Sequence, residues 1–221
     1  MALLYPERYD YVVFADTGDE KVETMQYLYQ HMQPYFEKKG IKFITVKNSK
    51  WDSLFQYCIQ KQIIPTRDKR WCTDRFKIVP IRRFVRSQGA TKKNFWKQDM
   101  GISFDEIHRM NPIYDCTFLK SDYPLCDNKI TRDECKKIIL DYGFPVPPKS
   151  GCFYCPFAKN EEFRQLKLKE PERFEQAIYL EKNGKRYPNL ILRNKPLEKM
   201  QFSNELDSWM DETCDSGVCF R

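Results

Sequence analysis

Cys152-Phe-Tyr-Cys155 places two thiols one turn apart, close enough to share one metal ion or to hold two corners of an iron-sulfur cluster. Cys72 lies in the most basic part of the chain, where neighbouring cations are expected to lower its pKa and favour the thiolate. Cys214 and Cys219 occupy a polar tail with Asp211, Glu212, Asp215 and Ser216, a setting in which burial as small apolar residues is hard to argue. Nine cysteines accompany only two histidines, His31 and His108. A metal site here is therefore essentially all sulfur, meaning zinc or iron with sulfide. The plainer alternative is a set of reduced thiols without metal. An odd cysteine count in a chain with no export signal argues against a disulfide framework.

The second chemistry is that of anions. Between Lys61 and Lys93 stand eleven lysines and arginines against Asp68 and Asp74, a local charge of +9 where the whole chain carries +7. Trp71, Phe76 and Phe84 are interleaved with them, a combination that suits a nucleotide or a nucleic acid backbone. A solvated helix face is the alternative. The eight glycines are scattered, the nearest two being Gly143 and Gly151, which excludes a glycine-rich phosphate loop of the Walker or dinucleotide type. At 41% hydrophobic and 31% charged residues, 221 residues describe one ordinary soluble domain, or one with a modest appendage. No run approaches the roughly 18 apolar residues of a membrane span, and Met1 to Asp10 lacks a secretion signal, so a cytoplasmic protein without membrane contact is expected.

Positioning these groups requires a scaffold. Tyr9 to Phe14 reads as a buried strand ending at Asp16-Thr17-Gly18. A helix follows, with Asp19, Glu20 and Glu23 suited to its positive end, apolar positions from Val22 to Phe36, and Lys38, Lys39 and Gly40 as its close. Pro34 is expected to kink it. Ile41 to Val46 is a second strand, and Trp51, Leu54, Phe55 and Cys58 form the stripe of a second helix, with Cys58 in the core. Strand, helix, strand, helix points to a parallel sheet with crossover helices. A helix near Thr73 to Ser87 must be kinked or restarted at Pro80. Beyond it are expected a strand at Asn94 to Met100, a loop at Gly101 to Arg109, a strand within Tyr114 to Leu125, and a helix over Thr131 to Tyr142 whose Cys135 faces the core. Helices from Asn160 and from Pro171 to Gly184 end the reading, and the Pro145-Val-Pro-Pro148 break sets a boundary between residues 1–147 and 148–221.

Taken in order, four blocks resemble one family: Asp16-Thr17-Gly18 with Glu20, Glu23 and Thr24; Arg70-x-Cys72-Thr73-x-x-x-Lys77-x-x-Pro80; Gly101-Ile-Ser-x-Asp105-Glu106-x-x-Arg109; and Gly151-Cys-x-x-Cys-Pro156. Over residues 9 to 157 they resemble the phosphoadenosine phosphosulfate (PAPS) reductase-like family of the adenine nucleotide alpha-hydrolase group. That resemblance implies a Rossmann-like parallel-sheet α/β/α sandwich with a cysteine-rich, mainly helical C-terminal lobe. It implies a nucleotide, ATP or a sulfonucleotide, at Asp16, Thr17, Gly18, Arg70, Thr73, Gly101, Glu106 and Arg109. Cys72, Lys77 and Asp105 are the implied catalytic positions, with Lys77 and Arg109 meeting phosphate or sulfate oxygens. An iron-sulfur cluster, 4Fe-4S in type and with zinc as the alternative, is implied on Cys72, Cys152 and Cys155 with Cys214 or Cys219.

The expected function is nucleotide-dependent sulfur transfer to RNA or DNA held by residues 61–93, with a sulfur or electron donor protein as partner. A sulfonucleotide reductase and a noncatalytic, zinc-clipped binding remnant are the alternatives. Family members resembling ATP pyrophosphatases begin with a strand and a Ser-Gly-Gly-x-Asp-Ser loop. Here that loop is missing and Met1 to Arg8 looks like the end of the helix that follows it, which fits a fragment, a misplaced start or a form that has lost the first unit, and weak ATP binding by the chain is expected.

Overall fold

The computed structural model describes residues 1–67, 69–110, 115–185 and 195–200. It is a mixed α/β structure with two small parallel sheets. In the first, β1 (Tyr11–Asp16) pairs with β2 (Lys42–Lys47), from Tyr11 opposite Lys42 to Asp16 opposite Lys47. In the second, β3 (Trp96–Asp99) pairs with β4 (Leu119–Asp122), from Trp96 opposite Leu119 to Asp99 opposite Asp122. The expected strands are present, with the third shortened and the fourth reduced to four residues. Pro124 turns the chain into the short helix α6 (Pro124–Asp127) where strand was expected to continue.

β1 is less buried than its apolar composition suggests. Tyr11 to Phe14 are half-buried, and only Ala15 and Asp16 are fully covered. The reason lies in pairing: β1 has a partner on one edge, so its faces lack the cover of a wide sheet. The two sheets meet through side chains, with the Tyr11 ring stacked on Trp96 at 5.2 Å and the Tyr9 hydroxyl donating to Asp99.

The connection from β1 to β2 runs through α1 (Val22–Tyr27), a π-helical turn at Leu28–Met32, and α2 (Gln33–Lys38). Helices α3 (Leu54–Lys61) and α4 (Trp71–Thr73) follow, then a second π turn at Asp74–Ile78 and α5 (Val79–Ser87). Both π turns end two residues before a proline, Pro34 and Pro80. Proline lacks an N–H and crowds the carbonyl four residues back, so a widened turn carries the helix past the defect where a kink was expected at Pro34, while Pro80 stands in the first turn of α5, the restart that was one of its two expected outcomes. The α3 start is fixed by Ser53, whose Oγ accepts from Gln56 N at 3.1 Å, and α7 (Arg132–Asp141) by a capping box of Thr131 and Glu134. No residue of α7 is fully buried, and Cys135 is half-buried. The Met1 to Arg8 segment makes one helical hydrogen bond, Tyr5 N to Met1 O at 2.9 Å, and a 3-10 turn at Pro6–Arg8 in place of the expected helix end.

The larger apolar core lies away from the sheets. Leu54, Tyr57, Cys58, Ile64 and Phe76 meet Phe153, Tyr154, Phe163, Phe174 and Leu180, so α3 and the start of the 71–87 helix pack on α8 (Asn160–Lys169) and α9 (Pro171–Asn183). Cys58 is completely buried there, as expected. A smaller cluster of Val85, Ala90 and Leu119 with Trp96 and Phe118 joins α5 to the second sheet. The described residues of the C-terminal part are mainly helical. Its described cysteines, Cys152 and Cys155, stand on the turn before α8 and belong to the larger core, so no separate cysteine-rich lobe is seen; Cys214 and Cys219 lie outside the described residues. No helix is long and apolar enough to cross a membrane among the described residues.

Candidate functional site

The turn after β1 is built from its own polar side chains. Asp16 Oδ1 accepts from Gly18 N at 2.7 Å, and its Oδ2 pairs with Lys47 Nζ at 2.9 Å across the sheet. Gly18 has φ +81°, and an added Cβ would lie 2.8 Å from Ser53 Cα and closer still to Asp52 O. Only glycine fits where the turn presses on the start of α3. Thr17 O accepts from Leu54 N at 2.9 Å, tying the same two segments together.

The next two residues turn inward. Asp19 and Glu20, expected at the exposed start of a helix, are buried, because α1 begins only at Val22. The dipole reading holds for Glu23 alone. Asp19 Oδ2 accepts from Phe55 N at 2.6 Å and from the Tyr154 hydroxyl at 2.7 Å. Burial raises its pKa above the ordinary carboxylate value, outweighing those hydrogen bonds. Tyr154 sits well above its usual range, again by burial.

The Glu20 side chain is 1% exposed. Its Oε1 takes Lys77 Nζ at 3.1 Å and the Thr17 hydroxyl at 3.3 Å, while Oε2 is buried without a hydrogen-bond partner. Thr17 Oγ1 also lies 3.1 Å from Cys152 Sγ. A short antiparallel bridge between Glu20 and Cys152 brings the two loops together, with Lys21 N donating to Gly151 O and Phe153 N to Asp19 O, each at 3.1 Å. Burial pulls the Lys77 pKa down, but the Glu20 charge and the adjacent Cys152 and Cys155 outweigh it and leave the pKa raised, so Lys77 stays a cation.

Cys72 joins from the helical side. Arg67 Nε donates to Pro156 O at 2.7 Å, and the Arg67 and Arg70 guanidinia lie over Phe157 at 5.9 and 5.4 Å. These contacts hold the 67–73 segment against the Cys152 to Phe157 turn. Arg70 Nη2 also donates to Thr73 Oγ1 at 3.3 Å. The expected lowering of the Cys72 pKa does not occur. Burial raises it and outweighs Arg70 and Lys77, because packing removes more hydration than two cations return. Burial likewise raises Cys152, which is buried, and Cys155.

The three thiols are electrostatic neighbours: Cys155 acts on Cys152, and Cys72 on Cys155. They are not a closed ligand set, since among the described residues no three His, Cys, Asp or Glu side chains converge to hold a metal ion. The arrangement can hold an anion against Lys77, keep protonated thiols in a dry pocket, and pass the Cys152 proton by way of Thr17 Oγ1 to Glu20 Oε1.

The remaining expected residues gather elsewhere. Gly101 follows β3 and is exposed. Asp105 Oδ1 accepts from Arg132 N at 2.9 Å, at the first turn of α7, and Glu106 pairs with Arg109 and, at 3.9 Å, with Arg132. This second group lies beside Cys126, whose thiol meets Ile102 O at 3.2 Å, rather than beside Cys152. Asp19 and Tyr154 were missed in the sequence reading. Their signal was an extra acidic residue before the helix and an aromatic inside the Cys-x-x-Cys spacer.

No protein-family model matches the chain, and no solved structure does. It is 25% identical over 180 residues to the uncharacterized protein MJ0973 of Methanocaldococcus jannaschii, covering 76% of this chain and 40% of that protein. To the uncharacterized protein MJ0066 of the same organism it is 26% identical over 188 residues, covering 74% of this chain and 34% of that one. The chain thus spans less than half the length of these two relatives, to which it is similar along most of its own length.

Proposed function

We propose that the chain is a PAPS reductase-like protein of nucleotide-dependent sulfur chemistry that transfers sulfur to a nucleic acid in the cytoplasm. The observation that carries the reading is the meeting of Thr17, Glu20, Lys77 and Cys152, with Cys72 and Cys155 adjacent, from three segments far apart in sequence. A cation held beside buried thiols suits a sulfate or phosphate group brought to sulfur. In this reading Lys77 binds the anion, Glu20 holds Lys77 in place, and Thr17 relays the Cys152 proton, its Oγ1 accepting from Sγ as its own proton passes to Glu20 Oε1. The two parallel pairs are then halves of one Rossmann-like sheet whose inner edges, β1 and β3, face each other through Tyr11 and Trp96.

An iron-sulfur cluster on Cys72, Cys152 and Cys155, completed by Cys214 or Cys219, is the cofactor of the proposal, with zinc as the alternative. Among the described residues the present spacing does not form its ligand set. Gly101, Asp105, Glu106 and Arg109 would serve the nucleotide, and a sulfur or electron donor protein would recharge the site. The exposed Arg75, Arg83 and Arg86 would meet the nucleic acid backbone.

Protein purified without oxygen should contain iron and acid-labile sulfide, and Cys152→Ser should remove them whereas Cys58→Ser should not. Stoichiometric zinc without sulfide would favour the structural-clip alternative, in which the buried thiols bind metal but do no chemistry. Turnover of a sulfonucleotide would favour the reductase.

A further inference from the structure

At the carboxyl end of β2 a cleft of about 220 Å³ opens between the Asn48 to Trp51 loop and the 74–83 stretch of helix. Arg75, Val79 and Arg83, four residues apart, face it from the helix, while Trp51, Tyr57 and Phe76 give it apolar walls. Lys50 stands at its mouth, and no carboxylate lines it. The loop is held in shape: Asn48 Nδ2 donates to Arg75 O at 3.0 Å, Lys50 N donates to Asn48 Oδ1 at 2.9 Å, and Arg83 donates to Ser49 Oγ. Trp51 and Tyr57 meet edge to face at 5.1 Å, and the Arg75 guanidinium lies 5.4 Å from the Tyr57 centroid.

A purely hydrated cationic face would have no reason to surround an aromatic hollow. An apolar ligand pocket would not be rimmed by three cations without a counter-charge. The combination fits a ligand with one planar ring and one anionic group, and the volume, below the roughly 300 Å³ at which small-molecule sites begin, admits one ring while leaving the rest at the mouth. Strand carboxyl ends are also where open parallel sheets bind ligands.

We propose that this cleft is a nucleotide subsite, taking one base against the half-buried Trp51, which the buried Tyr57 backs, and its phosphate at Lys50, Arg75 and Arg83. The nucleotide is either free or an unpaired unit of a single strand; base stacking on aromatic walls serves both. The inference shares Arg75 and Arg83 with the nucleic acid contact proposed above, but needs none of the cysteines.

Tryptophan fluorescence of the full chain tests it, titrated with adenosine 5′-monophosphate, ribose 5-phosphate, inorganic phosphate and a short single-stranded oligouridylate. Saturable quenching by the mononucleotide, at least tenfold weaker with ribose 5-phosphate or in the Arg75→Ala/Arg83→Ala variant, supports a free-nucleotide site. The same pattern with the oligonucleotide alone supports a strand contact. Trp51→Phe should remove the quenching signal while calorimetry still detects binding. Equal affinity for inorganic phosphate and the nucleotides, equal weakening by Lys92→Ala/Lys93→Ala, or no binding of any probe would overturn the subsite. Cys152→Ser should leave the titration unchanged, and the arginine variant should leave iron and sulfide unchanged, so this inference and the sulfur reading fail separately.

Discussion

Two Asp-Glu pairs follow two parallel strands in this protein, and they come to opposite ends. After β1, Asp19 and Glu20 are swallowed: Gly18 forces the chain against α3, and the carboxylates end beside Tyr154, Lys77 and Cys152. After β3, Asp105 stays exposed and accepts from α7, while Glu106 is tied to Arg109 and Arg132. The first loop is covered by the Cys152 turn with α8 and α9 behind it; among the described residues the second has the short α6 and the surface helix α7 near it. The same residue types therefore form a dry polar site in one place and helix-end contacts in the other. What differs is the cover, since a carboxylate loses hydration only when something apolar closes over it.

Glycine substitutions should break this contrast most sharply. Gly18→Ala combines a left-handed backbone with overpacking against Asp52 and Ser53, and should cost about 3 kcal/mol or more. For a chain of this size that lowers Tm by about 6–12 °C in calorimetry. Gly101→Ala, where an added Cβ meets nothing within 4 Å, should stay within about 0.5 kcal/mol of the parent. Equal effects would mean that the two loops are equally free.

A smaller difference is expected from the carboxylates. Glu20→Gln removes the charge opposite Lys77, which is itself 38% exposed, so the cost should be about 1–3 kcal/mol rather than that of a fully buried pair. Glu106→Gln should cost about 0.5–1 kcal/mol, because Glu106 itself is 20% exposed where Glu20 is 1% exposed. Denaturant midpoints measure both. Lys77→Ala in the Glu20→Gln background should add little, since the pair is already broken.

The subtlest test is the sign of a pH effect. Burial raises the folded pKa of Asp19 above its ordinary value of 3.8, so its contribution is fully present below that value and is lost as pH rises through the raised one. At Asp105 slight burial acts upward, but hydrogen bonds from Arg132 N, Ser103 and its own N–H, with the Arg132 charge, lower the pKa on balance. Its contribution is present above 3.8 and is lost as pH falls through the lowered value. Denaturation of Asp19→Asn from pH 3 to pH 7 should therefore lose a downward slope, and Asp105→Asn an upward one. Slopes of the same sign would remove the distinction between the two loops.

Much of the scaffold is written in local pattern. β-Branched and aromatic residues mark β1, apolar spacing marks α3, Pro171 and Gly184 bracket α9, and the start at Thr131 marks α7 to within one residue, because these signals act over a single turn or strand. Of the four blocks whose order suggests one site, those of Asp16 to Glu20, Cys72 with Lys77, and Cys152 meet, while that of Gly101 to Arg109 does not. Tertiary structure alone decided the rest. It buried Asp19 and Glu20 where local pattern read an exposed helix start, raised the Cys72 pKa where the neighbouring sequence read a lowered one, and left Asp105 and Arg109 beside Cys126. In each case the deciding quantity is the hydration a side chain keeps, which depends on what chain distant in sequence lies over it.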